Sequence, residues 1–252
     1  MNSLDQLAGA ALLLVRPGML VIGTPILGGL YAPVHLRVGL TVLVAILLAP
    51  VVTLPAALNG AGLTVVIARE IAIGLALALS IRVLVAALEF AGHFSGYQIG
   101  LSAGALIDPQ SGVRNTTLAV LYGNLAVLLC FLTNAHHLLL QALADSYASL
   151  PIGFGGVNAN VAASVAEMLG AVFVFGVRVA APVIIVLLLI ELALGLIAKV
   201  APALNVMIAG APIRLLVGLL VVAATIAGIP AIVREGVPAV MRMAVTLANA
   251  FR

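Results

Sequence analysis

MLGAVFVFGVRVAAPVIIVLLLIELALGL, residues Met168 to Leu196, is the stretch on which the fold class turns. It is apolar almost throughout and long enough to cross a bilayer, which takes about 20 helical residues. It shows none of the polar–apolar alternation of a membrane barrel strand. A lipid-exposed backbone must satisfy its own hydrogen bonds, so the run is helical. Five more apolar runs stand beside it: Leu7 to Leu30, Val38 to Leu58, Leu63 to Leu88, Thr117 to Leu140 and Leu204 to Val233. The 252 residues are 64% hydrophobic and 8% charged, where soluble domains carry about 25% charged residues. Mean hydropathy is +1.33. These figures exclude a soluble enzyme, a nucleic-acid binder and a disordered linker. They predict an all-α integral membrane protein of about six kinked hydrophobic segments, forming one membrane-embedded domain over residues 1–252. The longest polar-leaning connections, Glu89 to Thr116 and Gln141 to Glu167, are too short to hold a core of their own.

The opening run also shows what is unusual. It holds Arg178, Pro182 and Glu191, and the other runs carry Arg16, Arg69, Glu70, Arg82 and Arg214. A central Arg costs about 2.5–3.5 kcal/mol on insertion scales, so such residues pair or mark a function. Arg82 and Glu89 share a helix face, as do Glu191 and Lys199, but neither spacing makes an adjacent-turn pair. Arg69, Glu70, Arg82, Glu89, Arg178, Glu191 and Arg214 are therefore candidates for contacts between helices or between subunits. Prolines at 17, 25, 33, 50, 55, 182, 202, 212 and 230 interrupt nearly every run, tolerable in a membrane where neighbouring protein restores the lost bond. There is no Trp, and aromatics reach only 4%, so the usual interfacial belt is missing. Two readings stay open: a genome-wide bias toward Ala, Val and Gly, or a surface that meets protein more than lipid. The pI of about 9.5 comes from basic residues spread evenly, and the positive-inside count is a tie. The N-terminus has no basic n-region, so no cleavable signal is expected. Cys130, alone in an apolar run, allows no disulfide framework within the chain.

Residues 96–104, GYQIGLSAG, contain two overlapping small-xxx-small spacings, which allow close helix packing. The following ALIDPQSGVRN ends on turn-forming Asp108-Pro109 and Ser111-Gly112. The stretch 96–115 is read either as a connection or as a pliable loop that lines or closes a pathway. His136 and His137 lack further ligands at metal spacing, and Ser95 beside His93 is not a G-x-S-x-G nucleophile. No nucleotide or zinc motif occurs. No enzyme, cofactor or metal site is expected.

Several stretches together resemble the FliR family of flagellar type III export-gate proteins. They are RPGMLVIGTPILG (16–28), APVHLRVGL (32–40), LAP (48–50), QIGLSAGALIDP (98–109), LTNAHH (132–137), LPIG (150–153) and LALGLIAKVAPALN (192–205), followed by GAP (210–212) and Gly218. The order of these stretches is more specific than any one of them. The resemblance implies a FliP-like part followed by a FliQ-like hairpin, with segments that do not span as ordinary transmembrane helices. It implies one copy joined to FliP- and FliQ-like subunits, with FlhB- and FlhA-like export proteins nearby. The site would be the bacterial inner (cytoplasmic) membrane at the flagellar basal body, and unfolded export substrates would pass through a gated conduit. Gly96, Gly100, Leu101, Ser102, Ala103, Gly104, Ala105, Leu106, Asp108 and Pro109 would then belong to a pore plug. Here this loop is small and alanine-rich where family members often carry bulkier residues, and Asn134-Ala135-His136 stands where Asn-Gly-His is frequent. The homologous injectisome component is the nearest rival. A secondary transporter with a midplane charged site and a scaffold without a conduit are rivals of other classes.

Overall fold

The computed structural model describes residues 3–28, 32–52, 60–101, 117–153, 160–201 and 206–251. All regular structure among these residues is helical. The helices are α1 (Ser3–Gly23), α2 (Pro25–Gly28), α3 (Val34–Leu48), α4 (Gly60–Ile99), α5 (Thr117–Leu132), α6 (Ala135–Ser149), α7 (Val161–Val200), α8 (Val206–Ile226) and α9 (Ile229–Asn249). The chain is an all-α membrane protein.

The six expected runs become a different set of helices, because hydropathy reports the solvent and not where the backbone breaks. Among the described residues two helices are long and apolar enough to cross a membrane alone, within α4 (Gly62–Ile99) and as α7 (Val161–Val200). At about 1.5 Å per residue, the 40 residues of each extend about 60 Å, twice the hydrocarbon thickness of about 30 Å. The run from Thr117 to Leu140 is cut into α5 and α6 at Thr133–Asn134, where Asn134 takes a left-handed conformation, φ 55°. Asn is among the few non-glycine residues that tolerate this. The run from Leu204 to Val233 is cut at Ala227–Gly228, and Pro230 lies in the first turn of α9, where its missing N–H costs nothing. Each bent pair, α5–α6 and α8–α9, could serve as one broken span. Pro17, Pro182, Pro212 and Pro238 sit inside helices without ending them. Helix α9 is the most amphipathic: Val233, Val237, Val240, Ala244 and Leu247 are buried, while Arg234 and Arg242 are exposed. That is the spacing of one helix face.

The chain forms two compact units. The first comprises residues 1–84, 130–171 and 236–252, and the second 85–129 and 172–235. In the first, α3 packs on α1, and α1 lies against the early part of α4 with almost no gap. A Cβ at Gly74 would sit 2.6 Å from the Arg16 carbonyl oxygen and 2.9 Å from the Met19 Cβ. Leu12, Leu20, Ile73, Leu77, Ile81, Leu139 and Leu143 fill the core. In the second unit the late part of α4 meets α5 as closely, since a Cβ at Gly92 would fall 2.6 Å from the Leu118 carbonyl oxygen. Phe90 meets Phe173 edge-on at 5.4 Å.

Candidate functional site

The charges within the apolar helices fall into two groups. In the first unit, Arg16 and Glu70 form a fully buried ion pair, Nε to Oε2 at 2.7 Å and Nη2 to Oε1 at 2.9 Å. This is the two-point fork geometry that favours arginine for carboxylates. Arg16 Nη1 also donates to Ser146 Oγ at 2.9 Å, and Nη2 to the Leu150 carbonyl at 3.0 Å. The guanidinium lies 4.1 Å over the Tyr147 ring, a cation–π arrangement. Tyr147 in turn donates from its hydroxyl to the Leu13 carbonyl at 3.3 Å. One arginine thus ties α1, α4, α6 and the turn after α6. Removing one partner of such a pair costs about 3–5 kcal/mol, because the other charge is left buried and alone.

Arg69 is the helix neighbour of Glu70 and points elsewhere. It is 7% exposed, and its Nε donates to the Phe251 carbonyl at 3.1 Å. Its Nη2 is buried without a hydrogen-bond partner among the described residues.

The second unit holds its charges differently. Arg178 on α7 pairs with Glu235 on α9 at 3.2 Å, the side chains 56% and 64% exposed. Arg214 on α8 faces Glu191 on α7 at 3.8 Å, with 38% and 42% exposed. Glu89 is exposed, and its carboxylate lies against Gly123 of α5, where a Cβ would come within 3.0 Å. Arg82, in the first unit, is also exposed. Of the seven charged candidates, then, Arg69 and Glu70 are buried within the chain, Arg214 is half-buried, and Arg82, Glu89, Arg178 and Glu191 are exposed. Arg16, inside an apolar run of the sequence, is not among those candidates. Its partners lie 54, 130 and 134 residues away, and no spacing rule connects them.

The start of the candidate loop is described, and it is a helix stop. Gly100 has φ 95° and donates to the Tyr97 carbonyl, while Leu101 donates to the Gly96 carbonyl at 2.9 Å. This is a Schellman termination, with the left-handed residue that glycine adopts without a Cβ penalty. The two glycines of the spacing therefore differ: Gly96 is buried inside α4, whereas Gly100 is exposed with nothing near its missing Cβ. Just before the stop, Ile99 fills the space above Gly218 of α8, where a Cβ would come within 2.5 Å of Ile99 Cγ1. The loop thus leaves the second unit from an anchored end. Ser102, Ala103, Gly104, Ala105, Leu106, Asp108 and Pro109 lie outside the described residues. The rings of His136 and His137 lie 4.6 Å apart and tilted in the first turn of α6, with Phe131 at 5.3 Å from His136.

Among the described residues, then, a helical membrane protein seals one polar hub inside its first unit and carries exposed charges on an apolar helix of its second. Residues 7–244 match the family described as bacterial export proteins, family 1. The chain is 33% identical to the flagellar biosynthetic protein FliR of Escherichia coli K12 over 84% of this chain and 81% of that one. It is 30% identical to FliR of Bacillus subtilis over 93% of each chain. FliR of Caulobacter vibrioides is 30% identical over 89% of this chain and 90% of its own. The chain belongs to this family of bacterial export proteins, that of the flagellar FliR proteins, and is an export protein of flagellar biosynthesis placed in a membrane.

Proposed function

We propose that this chain is a structural subunit of the flagellar type III export gate in the bacterial inner membrane. It joins FliP- and FliQ-like subunits, beside FlhB- and FlhA-like proteins, around a gated conduit for unfolded export substrates. The observation that carries this reading is α7, only 17% buried over its most apolar window yet carrying Arg178 and Glu191 among exposed Ile185, Leu188, Leu189, Leu192 and Leu196. A purely lipid-facing helix would have no reason to hold two charges there. A helix about twice the thickness of the membrane core also suits subunit packing better than simple crossing. The loop from Gly100 through Leu106 is the proposed plug. Small side chains seal by packing and yield to a pushed chain, whereas tight recognition would trap substrate.

Native mass spectrometry after co-expression with FliP- and FliQ-like neighbours tests the assembly. A hetero-oligomer with one copy of this chain is expected. A lone monomer, where the neighbours assemble without it, would sink the proposal. Deleting Gly100 to Leu106 in an assembled gate is expected to make the membrane leak ions, and unchanged permeability would remove the plug role.

A further inference from the structure

Within the first unit an apolar cleft of about 350 Å³ runs along α4 from Ala72 to Arg82. Small residues open it, Gly23, Ala72, Ala76 and Ala78, and Phe251 and Leu247 of the α9 end close one side. Arg82 is the only charged side chain lining it among the described residues. Among the described residues Arg82 makes no hydrogen bond and no ion pair. Glu167, two positions beyond the lining residue Val165 on α7, is exposed and does not pair with it. A second arginine, Arg69, touches the lining residue Phe251. The Phe251 carbonyl accepts from the Arg69 guanidinium, and among the described residues Glu70 pairs with Arg16 and not with Arg69. Among the described residues one Arg69 nitrogen is buried without a partner.

We propose that this cleft binds one anionic phospholipid, with an acyl chain between α4 and α9 and the phosphate on the Arg82 guanidinium. Charge decides the class of occupant. An unpaired arginine at an apolar groove is costly in a membrane, and basic pockets between helices take anionic headgroups. A guanidinium meets phosphate in the same fork geometry as carboxylate. Size decides against a partner helix: with side chains a helix is about 10–12 Å across, so less than one turn would fill this volume. A flexible acyl chain fits a narrow groove walled by glycine and alanine.

The test uses the whole chain alone in detergent, so it does not depend on the export-gate assembly. Phosphatidylglycerol or phosphatidylcholine with the same acyl chains is titrated, and retained lipid is read by native mass spectrometry. One phosphatidylglycerol is expected to be retained about ten-fold more strongly than phosphatidylcholine. Arg82→Gln should bring it down to the phosphatidylcholine level, while Arg82→Lys should keep most of the preference. Ala72→Phe should displace both lipids by filling the groove. If Ala72→Phe does not fold, the Gln and Lys variants still decide. Equal retention by wild type and Arg82→Gln means annular lipid only and overturns the proposal. So does disulfide capture of Leu79→Cys by another subunit in a lipid-free assembly, which would make the cleft a protein interface.

Discussion

Helices α4 and α7 are each 40 residues long, and their most apolar windows have mean hydropathies of 2.5 and 2.7. By composition they are twins. In the structure the α4 window is 67% buried and the α7 window 17%. Their charges follow the same division. Glu70 on α4 is sealed in a two-point pair with Arg16, while Arg178 and Glu191 on α7 hold partners in half-open contacts. The glycines make part of the difference. Gly74 and Gly92 allow α1 and α5 to approach the α4 backbone; on α7 only Gly176 is approached in this way, by Phe90 and the Ala87 carbonyl of α4, while Gly170 and Gly195 have nothing near their missing Cβ. An apolar helix becomes core where small residues let neighbours close on it, and becomes an outer surface where nothing does.

The largest effect should come from breaking the α4 hub. Arg16→Leu or Glu70→Gln is expected to lower stability in detergent by about 3–5 kcal/mol, because each leaves a buried polar group unpaired. The double substitution Arg16→Leu/Glu70→Leu should recover much of that loss. Denaturant titration followed by circular dichroism measures all three, and a double variant no better than the singles would show that packing, not charge, holds the hub.

Overpacking comes next. Gly92→Val places side-chain atoms against the Leu118 carbonyl and Ala119 Cα, and should cost about 1–3 kcal/mol. Gly195→Ala on α7 should leave the isolated chain unchanged, since that side is open. Comparable losses from both would erase the distinction between the helices. At the end of α4, Gly100→Ala is expected to cost about 1 kcal/mol through its left-handed backbone, read by the same titration.

The smallest effect on the chain itself should come from α7. Arg178→Gln or Glu235→Gln should change stability by less than about 1 kcal/mol, the usual range for exposed pairs. The same variants should reduce the yield of co-purified assembly several-fold if that surface is an interface. Unchanged yield with both would turn α7 into a lipid-facing helix and weaken the comparison at its functional end.

The sequence by itself determined the solvent and the helical class of the backbone. Apolar runs of about 20 to 30 residues leave helix as the only backbone that satisfies itself in lipid, and the ordered motifs from Arg16 to Gly218 carried the family. The charges inside those runs were legible as a group, because each is expensive enough to stand out. Their partners were not. Arg16 meets Glu70, Ser146 and Leu150 across separations set by chain reversals, and helix spacing speaks only for residues three or four apart. The breaks were misplaced for a related reason. Prolines mark interruptions in the sequence, but Pro17, Pro182 and Pro212 lie within continuous helices, and among the described residues sharp turns fall at Asn134 and at Ala227–Gly228. A left-handed residue needs no side-chain signal stronger than an asparagine or a glycine, and this chain has many glycines. Tertiary structure alone decided which of two equally apolar helices is interior, because burial depends on what packs against a surface and hydropathy measures only the surface itself.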